Sequence, residues 1–150
     1  MGRAARLPGW EAGLLDFVRA GAARSFEWGS WDCVMVAAGA VAAQTGVDFA
    51  EDFRGRYRTA LGAGRVMKRA AAGLDDDDAL RALVSERLGP PVVLARAHRG
   101  DVCRYEGALG VLMADHGLFA GPENGQSGWV RVPRRELEGW AWHLPFEDEA

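Results

Sequence analysis

Cys33 follows an aspartate and a run of aromatic and small residues, Phe26-Glu27-Trp28-Gly29-Ser30-Trp31-Asp32, and leads straight into the apolar segment Val34-Met35-Val36-Ala37-Ala38. A cysteine at the head of a helix meets free backbone N–H groups and the positive end of the helix dipole. Both favour thiolate, the nucleophilic form. Hydrolysis by a cysteine also requires a histidine to take and return a proton, and a polar residue to orient that histidine. Three histidines are present, His98, His116 and His143, and none stands in a local pattern with Cys33. His98 precedes the Gly100-Asp101 turn, where a surface role is expected. His116 falls in a turn between strands, and His143 alternates with Trp142 on a late strand at the core edge. Each is a candidate base with a plainer role competing for it. The plainer reading of Cys33 itself is a small buried hydrophobe, as most free cysteines are, and Cys103 on a strand is expected in the core.

The elements that must position these residues can be read from apolar spacing. Trp10, Leu14, Phe17 and Val18 recur at helical intervals, which predicts an amphipathic helix from Pro8 to about Ala22. Residues 33 to 45 are almost all small or apolar, so a central helix packed on several sides is expected, ended by Gly46. Residues 48 to 58 suggest a short helix or turn, and Ala60 to Ala72 is helix-compatible. The run Asp75 to Asp78 precedes a further helix that stops at Gly89-Pro90-Pro91. Beyond Pro91 the pattern becomes short strands: Val92 to Leu94, Asp101 to Tyr105, Ala108 to Met113, Gly117 to Ala120, Trp129 to Val132 and Trp140 to Leu144. Turn signals fall between them, among them Glu106-Gly107 and Asp115-His116-Gly117. Helices first and an antiparallel sheet after them make an α+β domain.

Composition narrows the partners. The chain has 150 residues, 49% hydrophobic and 26% charged, which fits a single domain, 1-150, with its own core. A net charge of -3, with arginines interleaved among acidic residues, gives no case for nucleic acid. The two cysteines lack the spacing of a zinc site. Four adjacent aspartates lack the alternating ligands of a calcium loop and read as helix capping and solvated charge. No cofactor and no metal is therefore expected. Glu11 and Asp16 interrupt the N-terminal region, so a secretory leader is not expected, and no run is long and apolar enough for a membrane span. Synthesis in the cytoplasm follows as the expectation. Trp28, Trp31, Trp129, Trp140 and Trp142 could line a cleft for peptide or sugar, but their spacing favours core or interface.

A series of short motifs carries a resemblance over most of the chain: Phe26-Glu27-Trp28-Gly29, Asp32-Cys33, Thr45-Gly46, Arg54-Gly55-Arg56-Tyr57, Gly100-Asp101-Val102, Ala108-Leu109-Gly110-Val111 and Ala141-Trp142. In this order they resemble the NlpC-type papain-like cell-wall peptidases, and more closely an uncharacterised branch of that superfamily among tail proteins of phages and gene transfer agents. The resemblance implies a papain-like fold, with the cysteine helix packed on a C-terminal antiparallel sheet. It implies Cys33 as nucleophile and Asp32 as its companion. The family's base opens the strand motif that here begins with Ala108, and the third polar residue falls near Phe119, so two of the three catalytic places are apolar. His116 lies eight residues beyond Ala108, too far along the hairpin for the roughly 3 Å reach of a base. The implied role is a tail-tip, hub-associated component assembled into the virion tail, in contact with hub and distal tail proteins and catalytically degenerate. The alternative is an active cysteine endopeptidase that cuts peptidoglycan peptides as the genome enters the cell. A tail-assembly chaperone absent from the particle shares the same sequence features.

Overall fold

The computed structural model describes residues 4–70 and 76–149. Among the described residues, four helices precede a set of short antiparallel strands, so the α+β organisation expected from the sequence is present. Helix α1 runs Trp10–Gly21 and α2 runs Cys33–Thr45, ended at Gly46 as expected. Helices α3, Ala60–Ala70, and α4, Asp76–Leu88, pack on each other. Part of the helix predicted over Ala60 to Ala72, and Asp75 at the head of the aspartate run, lie outside the described residues. The segment 48–58 is a chain of turns that buries Phe49, Phe53 and Tyr57.

Helix α2 is apolar all round, and a helix of that kind must be covered all round. Nine of its residues are buried, including Val34, Met35, Val36, Ala37 and Ala38. It packs against α1 on one side and strands of the sheet on another.

The strands form two sheets where the sequence pattern suggested one. Strands β2 (Val102–Tyr105), β3 (Ala108–Leu112), β4 (His116–Ala120) and β5 (Trp129–Pro133) make a four-stranded antiparallel meander in chain order. Strands β1 (Val92–Val93) and β6 (Trp140–Ala141) pair separately. A single bridge, Val102 with Trp142, joins the second pair to the edge of the first. The chain from Leu94 to Arg96 turns into a 3-10 segment instead of continuing β1. This cuts the ladder short at the residue facing Gly139, so β6 begins only at Trp140, opposite Val93.

Register in the meander is fixed locally. Glu106 and Gly107 both take positive φ, 47° and 82°, and join Tyr105 to Ala108 in a two-residue hairpin whose twist matches its strands. From that turn, Arg104 lies opposite Leu109 and Val102 opposite Val111. Leu109 and Val102 pack with the α2 core, and Val111 packs with Leu14 and Ala40. The alternate residues Cys103, Leu112 and Phe119 fill a second core on the opposite face, with Val132, Leu137 and Ala141. Both faces of the sheet are covered, so the strand Val102-Cys103-Arg104 is buried at every position instead of alternating. Cys103 is wholly buried, as expected of a core residue.

Candidate functional site at the head of the core helix

Cys33 is the first residue of α2, and Asp32 caps the helix. The Asp32 carboxylate accepts from the Met35 amide at 3.0 Å and from the Gly29 amide at 2.8 Å. It also accepts from the Tyr57 hydroxyl at 2.8 Å, in a fully buried bond. Its role is to hold the turn 29–32 and the segment carrying Tyr57 onto the helix head, and three donors occupy it. Burial, reinforced by the Asp32 charge, pushes the Tyr57 hydroxyl above its ordinary range, so it remains a donor.

A pocket of about 420 Å³ opens beside the cysteine, lined by Trp28, Asp32, Cys33, Tyr57, Ala63, Met67 and Leu80 among others. The lining is mostly apolar, and no histidine is among it. Cys33 is half-buried there. Desolvation pushes its thiol up to about 11, against the pull of the Leu109 and Val34 amides and of Arg104, and the nearby Asp32 charge adds to the rise. The helix head alone would favour thiolate. The opposite result follows because burial outweighs the amides, and the residues that share the pocket with the thiol, Tyr57, Met67 and Leu80 among them, come from segments that residue order around Cys33 does not show.

Strand β3 reaches this site through its backbone. The Leu109 amide donates toward the Cys33 sulfur, and the Leu109 side chain belongs to the same core as Cys33. Ala108, one residue earlier, packs on the other face with the Phe119 core. The strand position beside the thiol is therefore filled by aliphatic side chain and main chain. Arg104, opposite Leu109, is buried and paired with Glu138 at 3.2 Å.

The three histidines lie elsewhere. His116 begins β4 beyond the turn that follows Leu112, so the length of β3, roughly 13 Å at about 3.3 Å per residue, separates it from the Ala108 end. It pairs with Asp115 at 2.6 Å on the surface. His98 and His143 come together around Asp101, with ring centroids 5.0 Å apart. That cluster sits at the far end of α2, where Gln44 donates to the Gly100 carbonyl at 2.8 Å. Cys33 and Gln44 are 11 positions apart on the helix, roughly 16 Å along its axis at about 1.5 Å per residue.

The far end is densely polar. Arg6, 2% exposed, donates to Asp101 at 2.7 Å, to Gln44 at 3.0 Å, and to the carbonyls of Arg99 and Leu144. Its guanidinium also lies over the rings of Trp10 and Phe146. Asp101 is wholly buried and accepts four bonds, from Arg6, the Leu144 amide, the His98 amide and His143. Gly100 makes the approach possible: at φ 95°, a Cβ there would fall 2.1 Å from the Gln44 side-chain oxygen. Sequence reading treated His98 and His143 separately and missed Arg6, Gln44 and the shared partner Asp101. Only the Gly100-Asp101 pair was visible as a motif.

Of the five tryptophans weighed as cleft residues, Trp28 lines the Cys33 pocket. Trp142 and Trp31 are buried, and Trp129 stacks near Trp31 while donating to the Val18 carbonyl. Trp140 packs edge-on against Trp142. No helix among the described residues is long and apolar enough to cross a membrane.

Fold and site together define an α+β domain with a capped, cysteine-headed core helix laid on an antiparallel meander. A domain of unknown function, DUF6950, matches residues 5–143, and the chain belongs to that family. No curated protein and no solved structure matches it.

Proposed function

We propose that this chain is a papain-like domain of the NlpC type that no longer cuts peptide bonds and serves as a binding and building element of the tail tip of a phage or gene transfer agent. The observation that carries the loss of catalysis is the apolar setting of Cys33. Its thiol is pushed up to about 11, its strand neighbour is Leu109, and no histidine lines its pocket. A peptidase without a base forfeits proton transfer to and from the leaving group, a step worth roughly 10²- to 10⁴-fold. The fold can outlive that loss, since helix, cap and sheet hold together through contacts that do not use the thiol. The tail-tip setting rests on the motif series from Phe26 to Trp142 and its resemblance to tail proteins. In that setting the pocket beside Cys33 receives apolar side chains of a neighbouring tail protein.

Three measurements test this reading. Native protein treated with a small alkylating agent across pH should label Cys33 slowly at neutral pH, and purified peptidoglycan should be left intact. Rapid labelling below pH 8, or release of stem peptides that a Cys33→Ala variant abolishes, would replace this reading with the active endopeptidase. Mass spectrometry of purified particles should find the chain in the tail. Its presence in infected or producing cells but absence from particles would instead make it an assembly chaperone.

A further inference from the structure

At the far end of α2, His98, Asp101 and His143 each offer one ligand atom, and these atoms lie within 4.8 Å of one another. The set is two imidazoles and one carboxylate, the donor chemistry preferred by zinc and its first-row neighbours. We propose that these three side chains bind a divalent transition-metal ion of the zinc class, with a fourth position left to water.

Geometry around the three residues favours this over an incidental cluster. His143 Nδ1 and the Asp101 Oδ2 atom are 2.9 Å apart. Two ligands of a tetrahedral ion with bonds near 2.0 Å are separated by about 3.3 Å, so the ion replaces the shared proton with a small adjustment. That proton leaves to solvent, as metal binding to imidazole requires. The other ring nitrogen, His143 Nε2, faces Glu149 at 3.0 Å. An outer carboxylate on the second nitrogen is the usual arrangement for a ligating histidine, because it fixes the ring and raises its basicity. The second Asp101 oxygen is already held, by Arg6 at 2.7 Å and the Leu144 amide at 2.9 Å, which orients Oδ2 toward the histidines. His98 is exposed and supplies both the third ligand and the access path, needing only a side-chain rotation to close on the ion.

The bound ion would tie the loop carrying His98 and Asp101 to the segment from His143 to Glu149, two parts of the chain already joined through Arg6. The site is independent of Cys33, which lies at the opposite helix end.

Cobalt(II) titrated into untagged, full-length protein tests the proposal by its visible absorption, with zinc added afterwards as competitor. A low-coordinate cobalt spectrum that saturates at one ion per chain, and that zinc abolishes, is expected. His98→Ala, a change at an exposed residue, should weaken binding at least as much as the roughly 10–100-fold cost of losing an outer-shell partner. Glu149→Gln should weaken it within that range, and Cys33→Ser and His116→Ala should leave it unchanged. Equal binding by wild type and a folded His98→Ala protein would overturn the proposal. So would a signal lost with Cys33→Ser, or the absence of any saturable spectrum.

Discussion

The two ends of α2 are built on opposite principles. At its head, a residue capable of covalent chemistry is surrounded by Trp28, Met67, Leu80 and Leu109, and its thiol is held protonated. At its tail, Arg6, Gln44, Asp101 and His143 form a buried polar network in which the Asp101 carboxylate accepts four bonds. A motif that resembles a catalytic one thus occupies the end with the poorest equipment for proton transfer. The groups equipped for charge and ligation lie roughly 16 Å away along the helix. The contrast teaches that a reactive residue type is not a site. What decides reactivity is which groups the rest of the fold brings against it.

The widest gap between the two ends should appear in stability. Arg6→Ala removes one partner of a buried ion pair and leaves the Asp101 carboxylate to His143 and two backbone amides, which costs about 3–5 kcal/mol. Chemical denaturation should show that loss as a lower midpoint. A cost below about 1 kcal/mol, the range of exposed pairs, would mean the network is not what holds this end together.

At the head of the helix the corresponding residue is Asp32. Asp32→Ala deletes the cap, worth about 0.5–2 kcal/mol, and strands the Tyr57 hydroxyl, worth about 1–3 kcal/mol, for a sum of about 1.5–5 kcal/mol. Tyr57→Phe removes only the hydroxyl and should cost about 1 kcal/mol, because Asp32 keeps both backbone amides. A double-mutant cycle between the two positions should show coupling, since the residues are in direct contact. If the two effects simply add, the bond between them contributes nothing, and the head is held by the cap alone.

Much of this could be read from the sequence, and the remainder could not, for reasons of range. Helix α2 was legible because every cue is local: an apolar run, Asp32 before it and Gly46 after it. The β2 to β3 hairpin was legible from Glu106-Gly107. The three histidines could each be weighed as a base for Cys33, but the association of His98 with His143 was invisible. Asp101 meets Arg6 across 95 positions and His143 across 42, and no spacing rule spans such distances. The choice between thiolate and buried thiol at Cys33 was out of reach for a related reason: the dipole argument counts nearby amides, whereas desolvation depends on distant segments, such as those carrying Tyr57, Met67 and Leu80, that meet around Cys33 only in the fold. The division into two sheets was hidden too, because nothing in Val92-Val93-Leu94 announces that the third residue leaves the ladder.

The smallest effect is the most direct test of the helix head. Cys33→Ala should change stability at neutral pH by no more than about 1 kcal/mol, the scale of a small side chain that is only partly buried. Its signature is alkaline. The folded chain keeps the Cys33 thiol protonated up to about 11 and that of Cys103 up to about 12, against an ordinary value of 9.0. Between those limits the native state holds protons that the unfolded chain has released, so stability falls as pH rises. The contribution is complete below about pH 9 and is lost for Cys33 by about pH 11. Denaturation midpoints across that window should decline more steeply for wild type than for Cys33→Ala, with Cys103 and Tyr57 contributing the slope that remains. Equal slopes would mean that the thiol is solvated in the folded chain. The apolar end of the helix would then be open to the chemistry that its setting otherwise suppresses.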